Sequence, residues 1–516
     1  MKNSRTINTV KNILWGYVGN IATLILQFIS RTVFIHTIGM TYLGVSGLFA
    51  NILGMLSLTE LGIGTAINYS LYKPVAEGDK EKIKSLMLLY KKAYSIIAII
   101  IAIIGLILLP FLKYLIKDAN GLGIGEISVY YLIYLFNTVS TYFVSYKYGL
   151  LYAEQNGYVI TNLNTIFSII ILFGQIIALY LFKNFFIYLC IQSILQLIQK
   201  LITNIYLNRH YSYLQDKDIK LLERNELKKI KQNVVALMIH KIGEVSVYQT
   251  DNIIISTFIS VTTVAKVSNY NLIITSITGF ITIIMNSVTN GLGNLIALEN
   301  KKKQLKIFDT FNFVTFWLYG STSICFFVLF KPFMILWIGE SALIDDLTVF
   351  LIIVSYYLTG QRVAVNNMKT AGGIFVEDKY VSLLQGFINL VLSVIFVFLI
   401  GLPGIYVGTV LSGLFVNIIR PQIVYKSMFK KNATRYYLKF IEYIIVTIFG
   451  GVFVRVILIN IFDKLTWLNF FAMSISCVLL INIFYIAIYF KSSEFKELTQ
   501  RMNNLLKFIK NRSYDS

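Results

Sequence analysis

In "HKIGEVSVYQTDN" (240–252), His240, Lys241, Glu244 and Asp251 stand between the apolar runs "NVVALMI" and "IIISTFI". Groups of these types at membrane depth can carry a proton or Na⁺, pair across a closing gate, or hold an anion where the bilayer offers no donors. Each formal charge at mid-membrane costs about 2.5–3.5 kcal/mol, so their presence calls for a use. Over the whole chain, the apolar runs contain the bases Arg31, Lys200, Lys241, Lys266, Arg362, Arg420 and Arg455 against the acids Glu60, Glu244 and Asp251. The excess is positive. A path for a cationic drug calls for the reverse balance, whereas an anionic group calls for this one. Lys200, Lys266, Arg362, Arg420 and Arg455 lie near span ends, where snorkelling to the head groups is the competing explanation. For Lys241 and Glu244 it is a local pair at i, i+3.

The elements that must position these groups are transmembrane helices. Hydrophobic residues make up 56% of the 516 positions and charged residues 14%, with five prolines, a composition that excludes an ordinary soluble enzyme. Fourteen apolar runs are long enough to cross a hydrocarbon core of about 30 Å. They lie at 13–36, 42–70, 93–116, 128–150, 159–182, 185–207, 234–258, 261–290, 310–331, 346–367, 380–400, 403–425, 437–461 and 467–490. The first follows a basic start without a small-residue cleavage site, which predicts an uncleaved helix. With both termini placed in the cytoplasm, most of the 46 lysines and arginines fall in the N-terminal arm, alternate loops or the tail. The net charge of +21 is therefore topology rather than a nucleic-acid surface, and no nucleic-acid partner is expected. Cys190, Cys325 and Cys477 each sit in an apolar run with no metal-ligand spacing, so no metal or cofactor is expected. There is no GxxxxGK[ST] loop, hence no ATP motor, and H⁺ or Na⁺ coupling is the available energy source.

The charged stretch 208–233 predicts a cytoplasmic linker between a lobe at 1–207 and a second at 234–425. Helices at 426–490 and a cytoplasmic amphipathic tail at 491–516 follow. The lobes repeat weakly: Arg31 meets Asp251 at an offset of 220, and Lys147 meets Lys369 at 222. Six helices per lobe is even, so the repeat is parallel. At 3.6 residues per turn, Asn20, Gln27 and Arg31 fall within about 40° of arc on the first helix. On a continuous seventh helix His240, Lys241, Glu244, Tyr248 and Asp251 span about 100°. The expected substrate path is Arg31, Gln27, Asn20 and Lys241 in the spans, with Lys147, Arg362 and Lys369 toward the inner side. Asp251, Glu244, Glu60 and His240 are the expected gating or ion-coupling groups, Arg31 and Asp251 forming a pair that separates as the path opens.

The stretch "ISRTVFIHTIGMTYLGVSGLFANILGMLSLTELGIGTAINYSLYKPVAEGDKEKIKSL", with the "AEQNGY" turn after the fourth helix, resembles polysaccharide or O-antigen type flippases. These are the lipid-linked oligosaccharide branch of the multidrug/oligosaccharidyl-lipid/polysaccharide (MOP) exporter superfamily. The resemblance implies two six-helix bundles in a V-shaped arrangement like that of the MATE transporters. It also implies a transporter rather than an enzyme, one that moves an undecaprenyl-pyrophosphate-linked sugar to the outer leaflet of a bacterial cytoplasmic membrane by alternating access. Its partners would be the lipid-linked oligosaccharide, membrane lipids, and the pathway's polymerase and glycosyltransferases. A cation-coupled multidrug antiporter shares the fold. A membrane-embedded polymerase handles the same lipid, but the first outer loop, "HTIGMTY", has no carboxylate for such chemistry.

Overall fold

The computed structural model describes residues 2–57, 63–118, 122–154, 156–216, 219–220, 222–298, 300–374, 377–501 and 503. Within its helices the side chains at 2–18, 20, 233, 236–237, 239–242, 244–246, 248 and 286–298 are outside that description. Every described regular element is a helix. A bilayer leaves backbone N–H and C=O groups no water to bond, and a helix satisfies them within one segment. Among the described residues twelve helical segments are long and apolar enough to cross a membrane, so this is a multi-pass membrane protein.

The chain divides into two compact units, Met1–Ser268 and Asn269–Ser516. The first holds α1 (Lys2–Ile38), α2 (Met40–Leu56), α3 (Ile63–Glu77), α4 (Lys80–Leu108), α5 (Leu112–Leu115), α6 (Ile124–Ser145), α7 (Tyr148–Ala153), α8 (Gly157–Phe182), α9 (Phe185–His210), α10 (Arg224–Tyr248), α11 (Thr250–Phe258) and the start of α12 (Val261–Leu298). The second holds the rest of α12, then α13 (Lys301–Ile338), α14 (Asp346–Gln361), α15 (Val363–Ala371), α16 (Lys379–Ile400), α17 (Leu402–Val424), α18 (Thr434–Ile461) and α19 (Trp467–Tyr489). Side-chain caps start several of these helices where loop meets membrane: Asp79 accepts from the Lys82 amide, Asn184 from Ile187, Asn300 from Lys303 and Asp345 from Thr348.

The division falls inside α12, well beyond the charged stretch 208–233, and the contacts explain why. That stretch folds back onto the first unit: Lys84 Nζ reaches Asp216 at 3.1 Å, Lys82 pairs with Glu226, and Ser85 Oγ donates to the Lys220 carbonyl. At the other end of the helices the Lys117 amide donates to the Ser256 carbonyl at 3.2 Å, and the Val261 amide donates to the Lys117 carbonyl at 3.1 Å. Gly44 of α2 lies so close to α12 that a Cβ there would stand 1.9 Å from the Val261 carbonyl oxygen. These bonds hold α10, α11 and the first turns of α12 in the first unit.

Two of the fourteen expected spans are not among the twelve. The run 42–70 contains two helices, α2 and α3. The run 234–258 is broken at Gln249, whose backbone (φ −104°, ψ −17°) separates α10 from α11. Gln249 packs its amide against Gly54 of α2, and α10 and α11 lie on α3 and α2, so the two runs are neighbours within one unit. Irregular backbone at membrane depth is tolerated where protein or a polar cavity covers it.

In the second unit α16 and α17 cross at backbone contact, with Gly404 against the Phe396 carbonyl, the small-residue packing that lipid-embedded helices use in place of a hydrophobic driving force. The extra helices α18 and α19 close on α13 through a tyrosine-rich core. Phe316 stacks on Tyr443 at 4.0 Å between centroids, and Cys477, Tyr485 and Tyr489 fill the remainder. Residues 493–501 of the tail are seated on this unit rather than on lipid: Glu494 pairs with Lys439, Glu497 with Lys306 at 2.7 Å, and Phe495 stacks on Trp317 at 5.9 Å.

Candidate functional site

Arg31 lies three-quarters of the way along α1 and is half-buried. Its Nη1 donates to Ser268 Oγ at 2.9 Å, where α12 passes. Tyr134 of α6, hydrogen-bonded to Ser46, and Tyr188 of α9 are close enough to act on it electrostatically. Gln27, one turn earlier on the same face, is exposed, while Ile21, Ile25 and Ile29 are exposed on the opposite side of the helix. Thus α1 has an apolar face suited to lipid and a polar face that carries Gln27 and Arg31.

From Tyr134 and Tyr188 a polar seam continues along the contact of α6 with α9. Asn137 Nδ2 donates to Ser193 Oγ at 2.8 Å. Lys200 Nζ donates to the Asn137 carbonyl and to Ser140 Oγ, both at 2.8 Å. Lys147, at the N-terminus of α7 and only 9% exposed, donates to Asn204 Oδ1 and Asn208 Oδ1, each at 2.5 Å. Thirteen positions separate Tyr134 from Lys147, about 20 Å at 1.5 Å per residue. Three cations, Arg31, Lys200 and Lys147, therefore stand along one seam of the first unit. Among the described residues, every hydrogen-bond partner of Lys147 and Lys200 is a neutral oxygen.

Such a ladder can bind anions. An ammonium held by amide and carbonyl oxygens has no carboxylate to offset its charge, and the hydroxyls of Ser140, Ser193 and the tyrosines add neutral donors. Lys200 belongs to the ladder and does not reach for the head groups. Its partners lie 60 and 63 residues away in sequence, on a helix whose register with α9 hydropathy cannot supply.

In the second unit the corresponding lysine meets different chemistry. Lys369, in the last turn of α15, pairs with Asp378 Oδ2 at 2.6 Å. Arg420 of α17 pairs with the other oxygen, Oδ1, at 2.9 Å, and also donates to Asn366 Oδ1 and Ser382 Oγ. Asp378 is fully buried, Lys369 4% exposed and Arg420 6%. One carboxylate thus ties α15, α16 and α17 together. Arg362, at the junction of α14 and α15, donates to Thr359 Oγ1 at 2.9 Å and is also buried. Lys369 and Arg420 are closely packed parts of this unit's frame. Arg455, by contrast, is exposed and lies over the Phe327 ring at 4.8 Å.

Asp251 sits in the first turn of α11, directly after the break at Gln249, where the helix N-terminus favours a negative charge. The break separates Asp251 from the helix that carries positions 240–248, so the expected continuous seventh helix is two helices. The side chains of Asn20, His240, Lys241 and Glu244, and residue Glu60, lie outside the described residues. Among the described residues no cluster of His, Cys, Asp and Glu could hold a metal ion.

No protein-family model and no curated protein matches the sequence. In fold the chain is similar to the lipid II flippase MurJ in an inward closed conformation, with a TM-score of 0.64 and 13% identity over 92% of this chain and 99% of that one. It is similar to an inward-facing multidrug resistance MATE family transporter of the MOP superfamily, with a TM-score of 0.58 and 17% identity over 77% and 92%. It is also similar to a single-residue mutant of the Vibrio cholerae MATE transporter VcmN, with a TM-score of 0.56 and 14% identity over 83% and 99%. The chain has the fold of these transporters.

Proposed function

We propose that the protein is a flippase that moves an undecaprenyl-pyrophosphate-linked oligosaccharide from the cytoplasmic to the outer leaflet, by alternating access, for cell-surface polysaccharide synthesis. The observation that carries this reading is the ladder of Arg31, Lys200 and Lys147 in the first unit, with neutral oxygens on the two lysines. At about 2.5–3.5 kcal/mol per charge at membrane depth, such a row is maintained against a substantial cost, and a diphosphate passing along it recovers that cost. In this reading Lys147 makes the first contact from the inner side, and Arg31 and Gln27 receive the head group further along. The polyprenyl chain stays in lipid. Asp251 with Glu60, Glu244 and His240 supplies H⁺ or Na⁺ coupling, and Arg31 with Asp251 forms the gate. The setting is a bacterial cytoplasmic membrane with cytoplasmic termini, and polymerase and glycosyltransferases are the expected partners in the pathway.

The second reading, a cation-coupled multidrug antiporter, is favoured by the shared fold of the MATE transporters. The ladder's sign opposes it, since desolvated lysines repel a cationic drug. Reconstituted vesicles separate the two readings. A flippase moves a labelled diphosphate-linked oligosaccharide to the opposite leaflet and leaves a cationic dye gradient untouched. Dye efflux driven by H⁺ or Na⁺, without movement of the lipid-linked sugar, overturns the flippase reading.

A further inference from the structure

The second unit contains a cavity of about 600 Å³ separate from the Arg31, Lys200 and Lys147 ladder. Its walls are the first turns of α13, the turn between α17 and α18, the start of α18, and the tail. Lys302, Lys303, Lys306, Lys431, Arg435 and Arg501 line it, against Asp309, Glu494 and Glu497. Six cations and three anions leave three net positive charges. The two signs also sit at different depths. Asp309 and Glu494 have 10% and 11% of their side chains exposed and Glu497 has 19%, whereas Lys306 and Arg435 have 63% and 61%. Lys302, Lys303 and Lys431 are exposed as well. The carboxylates anchor the wall from behind while the cations face the opening. Asn300 caps α13 at the same place, so the positive end of a 38-residue helix adds to the field.

We propose that this cavity is a binding site for a phosphate-bearing anion, with the tail as one of its walls. A compact polyvalent anion satisfies several ammonium groups at once, which a single carboxylate cannot do. Glu497 joins the tail to Lys306 at 2.7 Å and holds Arg501 at 3.0 Å, so the tail brings one cation to the site and occupies another. The ligand chemistry has two sources at the inner membrane surface, an anionic lipid head group or a free phosphate compound. The site does not depend on the flippase reading.

The test uses the full-length protein in neutral detergent. One arm titrates inorganic pyrophosphate; the other titrates phosphatidylglycerol in mixed micelles, with phosphatidylcholine as the neutral control. The variant Lys302→Gln/Lys303→Gln/Lys431→Gln is compared with Lys73→Gln/Lys92→Gln/Lys228→Gln, which removes the same charge from exposed lysines of the first unit. Binding is expected to weaken on the order of a hundredfold in the first triple variant alone, each basic group near an anionic head group contributing about a factor of five. Loss in both arms, or in either one, supports the site and identifies its source. E497Q, which keeps all six cations, is expected to bind more tightly than wild type. Equal binding by the two triple variants in both arms overturns the proposal.

Discussion

Lys147 and Lys369 align at an offset of 222 in the sequence, and their surroundings are opposite. Lys147 is held by two asparagine oxygens, a buried cation with neutral hydrogen-bond partners. Lys369 meets Asp378, which also takes Arg420, so positive charge is locked to a carboxylate between three helices. The partner, not the position, sets the difference. A cation with a buried carboxylate is frame, because removing either member leaves the other stranded. A cation with neutral partners adds nothing comparable to stability and has no carboxylate to offset its charge. The same contrast separates Lys200, bonded to a carbonyl and a hydroxyl, from Arg420.

The largest expected effect breaks the frame. Asp378→Asn leaves Lys369 and Arg420 buried beside a neutral amide, and a loss of about 3–5 kcal/mol is expected, as for other broken buried pairs. Thermal unfolding in detergent reads it; a melting temperature equal to wild type removes the distinction between the two lysines. Next come the paired lysine changes. Lys369→Gln is expected to lower the melting temperature, while Lys147→Gln leaves it unchanged or raises it, since a desolvated charge is removed and a side chain able to bond Asn204 remains. Reversal of that order contradicts the assignment of frame to one unit and path to the other.

A smaller effect concerns the tail. A hydrogen bond from Lys306 holds the Glu497 carboxyl below its usual range, and Arg501 adds to it. A carboxyl depressed in the folded state stabilises the docked tail above its ordinary value and loses that contribution as pH falls through the depressed one. Proteolytic protection of residues 493–501 is therefore expected to stay constant from alkaline to mildly acidic pH and to fall only in stronger acid. Protection that changes near neutrality assigns the clasp to other groups.

Much of this was legible in the sequence, and the exceptions have physical causes. Each of the fourteen apolar runs contains helix, because hydropathy over about 20 residues and obligatory backbone bonding leave little choice. Arg31 stood out because charge is rare in such runs, and Lys147 because it aligns with Lys369. The break at Gln249 did not, since "VYQTD" has neither proline nor glycine. The Asp378 triad was hidden for another reason: an aspartate in a charged loop looks solvated, and only the packing of α15, α16 and α17 buries it. Lys200 looked like a snorkelling side chain because its partners are set by the register of α6 against α9. The extent of the first unit was hidden for the same reason, since it depends on Lys117 meeting Ser256 and Val261 through backbone groups.

The central claim is that the ladder reads diphosphate, and the most direct measurement compares initial rates of translocation for two lipid-linked oligosaccharides, one on a diphosphate and one on a monophosphate. Wild type is expected to prefer the diphosphate by about tenfold or more, the worth of one additional charge-assisted contact of about 1.5–3 kcal/mol. In Lys147→Gln/Lys200→Gln, folded to the same melting temperature, the preference is expected to disappear with the diphosphate rate. An unchanged ratio in the double variant contradicts the account.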